Sequence, residues 1–124
     1  MDDFNTIAQQ FVQFYYNTFD SDRGLLAALY REHSMLTFES TASKGVNDII
    51  EKLQSLPFGK IIHQVATVDA QPSNESGGII VMVTGALLVE GEEKPMSYSQ
   101  VFQLLPEAGT YYAFNDVFKL VYPA

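Results

Sequence analysis

Ile79-Ile80-Val81-Met82-Val83-Thr84-Gly85-Ala86-Leu87-Leu88-Val89 is the stretch that decides the fold. It reads as a strand that is apolar on both faces. In an antiparallel sheet one face usually meets water and alternates polar residues. Ile79 to Val83 does not alternate. The expectation is that both faces are covered. Helices cover one, and a second copy of the same sheet is the economical cover for the other, which makes a homodimer. The alternative is a monomer whose loops close that face.

Working outward, Ile61 to Val68 precedes this strand and alternates partly. Gln71-Pro72-Ser73-Asn74-Glu75-Ser76-Gly77-Gly78 lies between the two and reads as a hairpin loop. Met96 to Leu105 and Tyr111 to Val121 follow, joined by Pro106-Glu107-Ala108-Gly109-Thr110. Consecutive long strands with short loops imply an antiparallel meander. Upstream, Phe4, Ile7, Ala8, Phe11, Phe14, Tyr15 and Phe19 recur at helical steps, which predicts a helix over Asp3 to Phe19 capped by Asp2 or Asp3. Asp20-Ser21-Asp22 breaks that pattern and caps a short helix, Leu25 to Tyr30. Met35 to Phe38 is a short strand. Val46 to Leu53 is a third helix, with Pro57 just past its end. The order α-α-β-α-β-β-β-β, helices first and sheet later, is the α+β pattern.

The chain has 124 residues, 47% of them hydrophobic, with no composition break or linker. That is one domain's worth of sequence, and residues 1–124 are read as a single domain. It has no cysteine, which excludes disulfides, thiolate metal sites and cysteine nucleophiles. Seven basic residues against fifteen acidic ones give a formal net charge of −8. That balance argues against nucleic-acid binding, which needs lysine and arginine to displace counterions, and favours a basic partner surface. The acidic N-terminus lacks a signal-peptide pattern. The longest apolar run falls well short of the ~20 residues that span a bilayer. The chain therefore reads as soluble and intracellular, with no membrane insertion.

Several chemistries have no residues to carry them. There is no Gly-rich phosphate loop, Walker lysine, GxGxxG or GxSxG. His33 and His63 stand thirty residues apart without metal-ligand spacing, so neither a metal nor a cofactor is expected. Strand alternation puts Asp116 on the face of Tyr112, Phe114 and Phe118. A carboxylate desolvated among aromatics has a raised pKa and can act as a general base. The plainer reading is an acid near a strand end or one bonded to backbone amides. Glu90-Gly91-Glu92-Glu93 must be an exposed turn, with Lys94 its only local counter-charge. It is either a solvated loop or a docking edge for lysine or arginine. Glu39, which closes the strand Met35 to Phe38, is a second candidate for such an edge. Seven tyrosines and nine phenylalanines are more than one small core uses. Phe4, at the very start of the first helix, is either a staple onto Ala8 or an anchor for an apolar peptide across the dimer seam.

Phe11-Val12-Gln13-Phe14-Tyr15-Tyr16-Asn17-Thr18-Phe19-Asp20-Ser21-Asp22-Arg23 resembles the opening helix and turn of the nuclear transport factor 2 family. So do Leu29-Tyr30-Arg31, Met35-Leu36-Thr37-Phe38-Glu39, Ile50-Glu51-Lys52-Leu53, Ser55-Leu56-Pro57-Phe58, Asp69-Ala70-Gln71-Pro72, Ser99-Gln100-Val101-Phe102 and Phe114-Asn115-Asp116-Val117-Phe118. The set runs in order from about Phe4 to Tyr122 and is most similar to fungal members. The resemblance implies a cone-like α+β fold, a curved antiparallel sheet wrapped by about three helices around an apolar cavity. It implies a non-enzymatic homodimeric carrier that takes the GTPase Ran, in its GDP form, from cytoplasm to nucleus through the nuclear pore complex. It also implies binding to FxFG repeats of nucleoporins.

Carried over by motif, Glu39 matches a glutamate that pairs with a basic residue of Ran. Glu90 and Glu92 match two acids, aspartates in some members, that hold a lysine of its switch region. Phe38, Leu56, Ile61, Met96 and Phe118 match the lining of the cavity that takes an aromatic side chain of Ran. Phe4 matches an aromatic, often tryptophan, that contacts FxFG cores. Two other functions sit on the same fold. One is a ketosteroid isomerase-like or dehydratase-like enzyme, which would bring Asp116, His63 and a tyrosine together in the cavity. The other is a heterodimeric partner of the mRNA export receptor.

Overall fold

The computed structural model describes residues 3–122. Helix α1 (Phe4–Ser21) starts where the Asp3 carboxylate accepts the amide of Asn5 at 3.0 Å, satisfying one of the helix's free donors. Asp2, the other candidate cap, lies outside the described residues. The helix buries Ala8, Phe11, Val12, Tyr15, Tyr16 and Phe19. That stripe leaves Phe14 on the opposite side, 55% exposed, so Phe14 is no part of the core expected of it. Asp22 ends α1 and starts the next element, its side chain accepting the amide of Gly24. That element, Arg23–Leu29, is a 3₁₀ helix, tighter than the α-helix expected there. Helix α2 (Val46–Gln54) buries Ile49 and Leu53.

Six strands form one sheet: β1 (Met35–Phe38), β2 (Thr41–Lys44), β3 (Ile61–Pro72), β4 (Ile79–Val89), β5 (Met96–Glu107) and β6 (Thr110–Leu120). Their order across the sheet is β2-β1-β6-β5-β4-β3. The run β3 to β6 is the expected antiparallel meander. At the far side β1 pairs parallel with β6, so the sheet is mixed there. Strand β2 is polar and four residues long, and no hydrophobic pattern announces it. It pairs with β1 across a turn whose central residues, Glu39 (φ 50) and Ser40 (φ 72), both take the left-handed conformation of a tight hairpin. Strand β3 extends to Pro72 because it is an edge strand, where a missing amide donor is tolerated.

Two irregularities bend this sheet. Strand β3 bulges between Val65 and Thr67 opposite Gly85. A Cβ on Gly85 would sit 2.2 Å from the Gln64 carbonyl oxygen, so only glycine allows that approach. A second bulge, between Gln103 and Leu104, puts Leu104 opposite Ala113 and Gln103 opposite Asn115. It inserts one residue into β6 and reverses the side-chain alternation there. Asp116 and Phe118 consequently share the inner, core-facing side with Ala113, whereas Tyr112 and Phe114 both lie against His33. The simple alternation that grouped Asp116 with Tyr112 and Phe114 fails at this bulge.

The core fills the inner face of the sheet, beneath the helices. Ile79, Val81, Val83 and Leu87 of β4 meet Tyr98, Phe102 and Leu104 of β5 there. On the other face the apolar residues have no cover among the described residues. Ile80 is 37% and Met82 50% exposed. Met82 stands in register with Val101, and Val101 with Val117, which is itself exposed. Ile80 heads the adjacent row, which runs through Gln103 and Asn115 to the exposed Met35.

Candidate functional site

A pocket opens where α1, α2 and the inner face of the sheet converge. Tyr15 and Phe19 come from α1, Leu53 from α2, and Leu56 and Phe58 from the loop after it. Leu36 and Phe38 of β1, Ile61 and His63 of β3, Leu87 of β4, Gln100 of β5 and Phe118 of β6 complete the wall. Phe38 and Phe118 are stacked face to face, centroids 4.5 Å apart and planes 2° apart. Tyr98 stacks in turn on Phe118 at 5.5 Å. The void measures about 320 Å³, near the lower end of ligand pockets. Its inner part is narrow.

Two side chains give the wall its polar character. His63 is held by Asp20, whose Oδ1 lies 2.7 Å from Nδ1 and whose Oδ2 accepts the His63 amide at 2.9 Å. Its ring stacks on Tyr16 at 4.3 Å. Gln100 lies deeper. Its amide nitrogen donates to Asp116 Oδ1 at 2.7 Å, and its oxygen accepts the Tyr16 hydroxyl at 2.8 Å.

Asp116 itself is not in the pocket wall. It is fully buried, and its Oδ2 accepts the hydroxyls of Tyr30 at 2.7 Å and Tyr15 at 3.1 Å. Those two hydroxyls are also 2.8 Å apart. Burial pushes the carboxyl up from 3.8 to about 6, although Gln100, Tyr30 and Tyr15 all donate to it and pull it the other way. Burial, with Asp116 next, raises the Tyr15 and Tyr30 hydroxyls well above their ordinary value, so both remain donors. Asp116 is thus neither at a strand end nor bonded to backbone amides. Its partners are three side chains from α1, the segment after the 3₁₀ helix, and β5.

The acids neighbour lining residues of this pocket in the chain and in strand register. Glu39 follows Phe38 directly. Its Oε1 accepts the amide of Leu120, and its Oε2 lies 3.8 Å from Lys119 Nζ. Glu90 and Glu92 stand in the β4–β5 turn, just past Val89, the register partner of the lining residue Ile61. Their backbones are pinned: the Glu90 amide donates to Lys60 O at 2.9 Å and the Glu92 amide to Val89 O at 3.0 Å, around Gly91 at φ 89. Their side chains are exposed. Phe38, Leu56, Ile61 and Phe118 lie in the pocket wall. Met96 does not, because it is the first residue of β5, half-buried beside the exposed turn and paired with Leu87. Phe4 is half-buried at the start of α1, against the edge of the core.

This chain carries a curved six-stranded sheet, helices on its inner face and an aromatic pocket between them. The family model for the Nuclear transport factor 2 (NTF2) domain matches residues 7–120. The chain belongs to the nuclear transport factor 2 family. Nuclear transport factor 2 of Davidiella tassiana is 70% identical over 124 residues, spanning 100% of this chain and 99% of that protein. The solved nuclear transport factor 2 of Cryptosporidium parvum superimposes with a TM-score of 0.90 at 41% identity, over 95% of this chain and 94% of that one. The Mtr2–Mex67 M domain complex of C. albicans matches at a TM-score of 0.80 and 17% identity, over 95% of this chain and 94% of that one, a likeness of fold alone.

Within this chain, residue-by-residue reading missed the Asp20–His63 pair. The two residues are 43 positions apart, and only the packing of α1 on β3 joins them. Arg23 was missed as well. Its guanidinium donates to the carbonyls of Leu53 at 3.2 Å and Gly59 at 3.0 Å, tying down the loop that carries Leu56 and Phe58.

Proposed function

We propose that this chain is a non-enzymatic carrier that binds the GDP form of Ran and FxFG repeats of nucleoporins, and brings Ran from the cytoplasm through the nuclear pore complex into the nucleus. What supports the proposal is the aromatic pocket, whose lining residues Phe38 and Ile61 neighbour Glu39 in the chain and, through Val89, the turn of Glu90 and Glu92, in a chain of the nuclear transport factor 2 family. A pocket bordered by carboxylates suits an aromatic side chain with basic neighbours. Desolvation of the ring supplies affinity, and the acids supply orientation and encounter rate. The formal charge of −8 adds long-range attraction for a basic partner. Glu39 would pair with a basic residue of Ran and Glu90 and Glu92 with a lysine. Phe38, Leu56, Ile61 and Phe118 would receive the ring, with Met96 at the mouth. Because the inner pocket is narrow, an entering ring has to displace Phe58 or Leu56 on their loop. Preference for GDP would arise in the GTPase, whose switch segments rearrange with the γ-phosphate.

The bare outer face suits a second copy of the chain. Met82, Val101 and Val117 form one apolar row, with Ile80 and Met35 beside it. Two such faces packed together would give a homodimer and present two copies of Phe4. Weak FxFG contacts at Phe4, doubled in this way, would gain avidity without trapping the carrier in the pore.

An enzyme of the isomerase or dehydratase type gains less support. His63 and Tyr15 do line the pocket, and Asp116 is strongly perturbed. Yet both Asp116 oxygens are already occupied by donors, and the carboxylate stands behind the wall that Tyr15 and Gln100 form. A base must reach the proton it removes.

The test is nuclear uptake of fluorescent GDP-loaded Ran in permeabilised cells supplied with this protein as the only added carrier. Concentration of Ran in nuclei, lost with Glu39→Lys, is the expected result. Uptake that does not depend on the added protein would refute the proposal.

A further inference from the structure

Glu39 is not a free carboxylate waiting at the pocket edge. Oε1 is committed to the Leu120 amide, and the backbone of Glu39 is itself fixed, its amide donating to the Phe118 carbonyl at 3.1 Å. With one oxygen held, the carboxylate presents Oε2, and Oε2 is where Lys119 sits, 3.8 Å away. A second contact holds the ammonium there, because Lys119 Nζ donates to Ser40 Oγ at 3.0 Å. The pair is built by the fold. The left-handed turn at Glu39 and Ser40 brings both groups over β6, where Lys119 points to the outside between the inward Phe118 and Leu120. The contact is partly solvated: the Lys119 side chain is 54% exposed and that of Glu39 29%. Such pairs are weak and easily exchanged.

We infer that Lys119 is a resident cation on Glu39 that a basic partner must displace, so that Lys119 lowers the affinity of the site and sets its threshold. The inference rests on the reading of Glu39 as a partner contact. A lone ammonium offers Glu39 little that Lys119 does not already supply. A guanidinium, with its planar fork of donors, competes better, above all when anchored by a neighbouring aromatic in the pocket. Resident charge therefore favours an anchored basic residue over a stray one.

The experiment is a double-mutant cycle. GDP-loaded Ran is titrated calorimetrically into wild type, Lys119→Gln, Glu39→Gln and the double variant, with melting temperatures recorded for all four. Glutamine at 39 keeps an acceptor for the Leu120 amide and removes the charge. Lys119→Gln is expected to bind about two- to fivefold more tightly than wild type, the span of an exposed ion pair. In the Glu39→Gln background the same change is expected to have almost no effect, which separates local competition from the general rise in negative charge. The advantage should also shrink as salt screens the pair. Unchanged or weaker binding by Lys119→Gln, or an equal gain in both backgrounds, overturns the inference while leaving the carrier proposal standing. Failure of wild type to bind overturns both.

Discussion

Asp116→Asn separates the cost of a buried carboxylate from the benefit of its hydrogen bonds. The folded carboxyl titrates at about 6 against an ordinary 3.8, because burial outweighs three donors. A raised carboxyl holds its proton more tightly when folded than when unfolded. Between those two values the native state binds more protons, so this group's contribution to stability falls as pH rises. Above both values the penalty is constant, at about 3 kcal/mol. Roughly 1 kcal/mol of that develops between pH 5 and pH 7, a window that avoids the isoelectric region near 4.5. Asparagine keeps an acceptor for Tyr30 and Tyr15 but turns a donor toward Gln100, which must flip and give up its acceptance from Tyr16. That rearrangement is independent of pH. The expected result is that the unfolding free energy of Asp116→Asn gains on wild type by about 1 kcal/mol from pH 5 to pH 7, whatever the offset between them. Urea unfolding of both proteins at fixed concentration across this range measures it. A constant difference, or a wild type that gains as pH rises, would mean that the three donors and not burial control the carboxylate.

Three further outcomes are expected. Met82→Glu puts a charge at the β4 end of the bare outer row, where the side chain is already half exposed, so the fold should persist while sedimentation shows a monomer in place of a dimer. A wild type that sediments as a monomer would remove the reason for the exposed row. Gly85→Ala forces a methyl group into the Gln64 carbonyl and should lower stability by at least the 1–3 kcal/mol typical of overpacking, seen as a large fall in melting temperature. Phe4→Ala should weaken binding to an FxFG peptide and leave the affinity for GDP-loaded Ran unchanged; equal loss of both would make Phe4 only a prop for α1.

Much of the fold was legible because its elements obey simple periods. The stripe of α1, the apolar face of α2 and the four long strands all follow from spacing. What escaped was decided by neighbours. Strand β2 is polar and exists because β1 offers it an edge and because Glu39 and Ser40 accept a left-handed turn. Phe14 repeats at helical spacing but falls on the side of α1 away from the sheet. The face of Asp116 depended on a bulge in β6 itself, where Phe114 is the extra residue between Ala113 and Asn115, and strict alternation over Tyr112 to Phe118 does not announce it.

The site divides in the same way. Phe38, Leu56, Ile61 and Phe118 were named through family motifs and lie together in one wall. Glu90 and Glu92 announce a turn by composition alone. The tie between Glu39 and Lys119 was invisible because it joins residues 80 positions apart through the β1–β6 pairing.

The most direct single measurement is calorimetric titration of the purified protein with Ran loaded with GDP and, separately, with GTP, at about 0.15 M salt, where long-range attraction is screened and a built interface still registers. Saturable binding of the GDP form and none of the GTP form is the predicted result. Binding of neither form, or of both equally, would contradict the carrier role and leave the aromatic pocket without its proposed occupant.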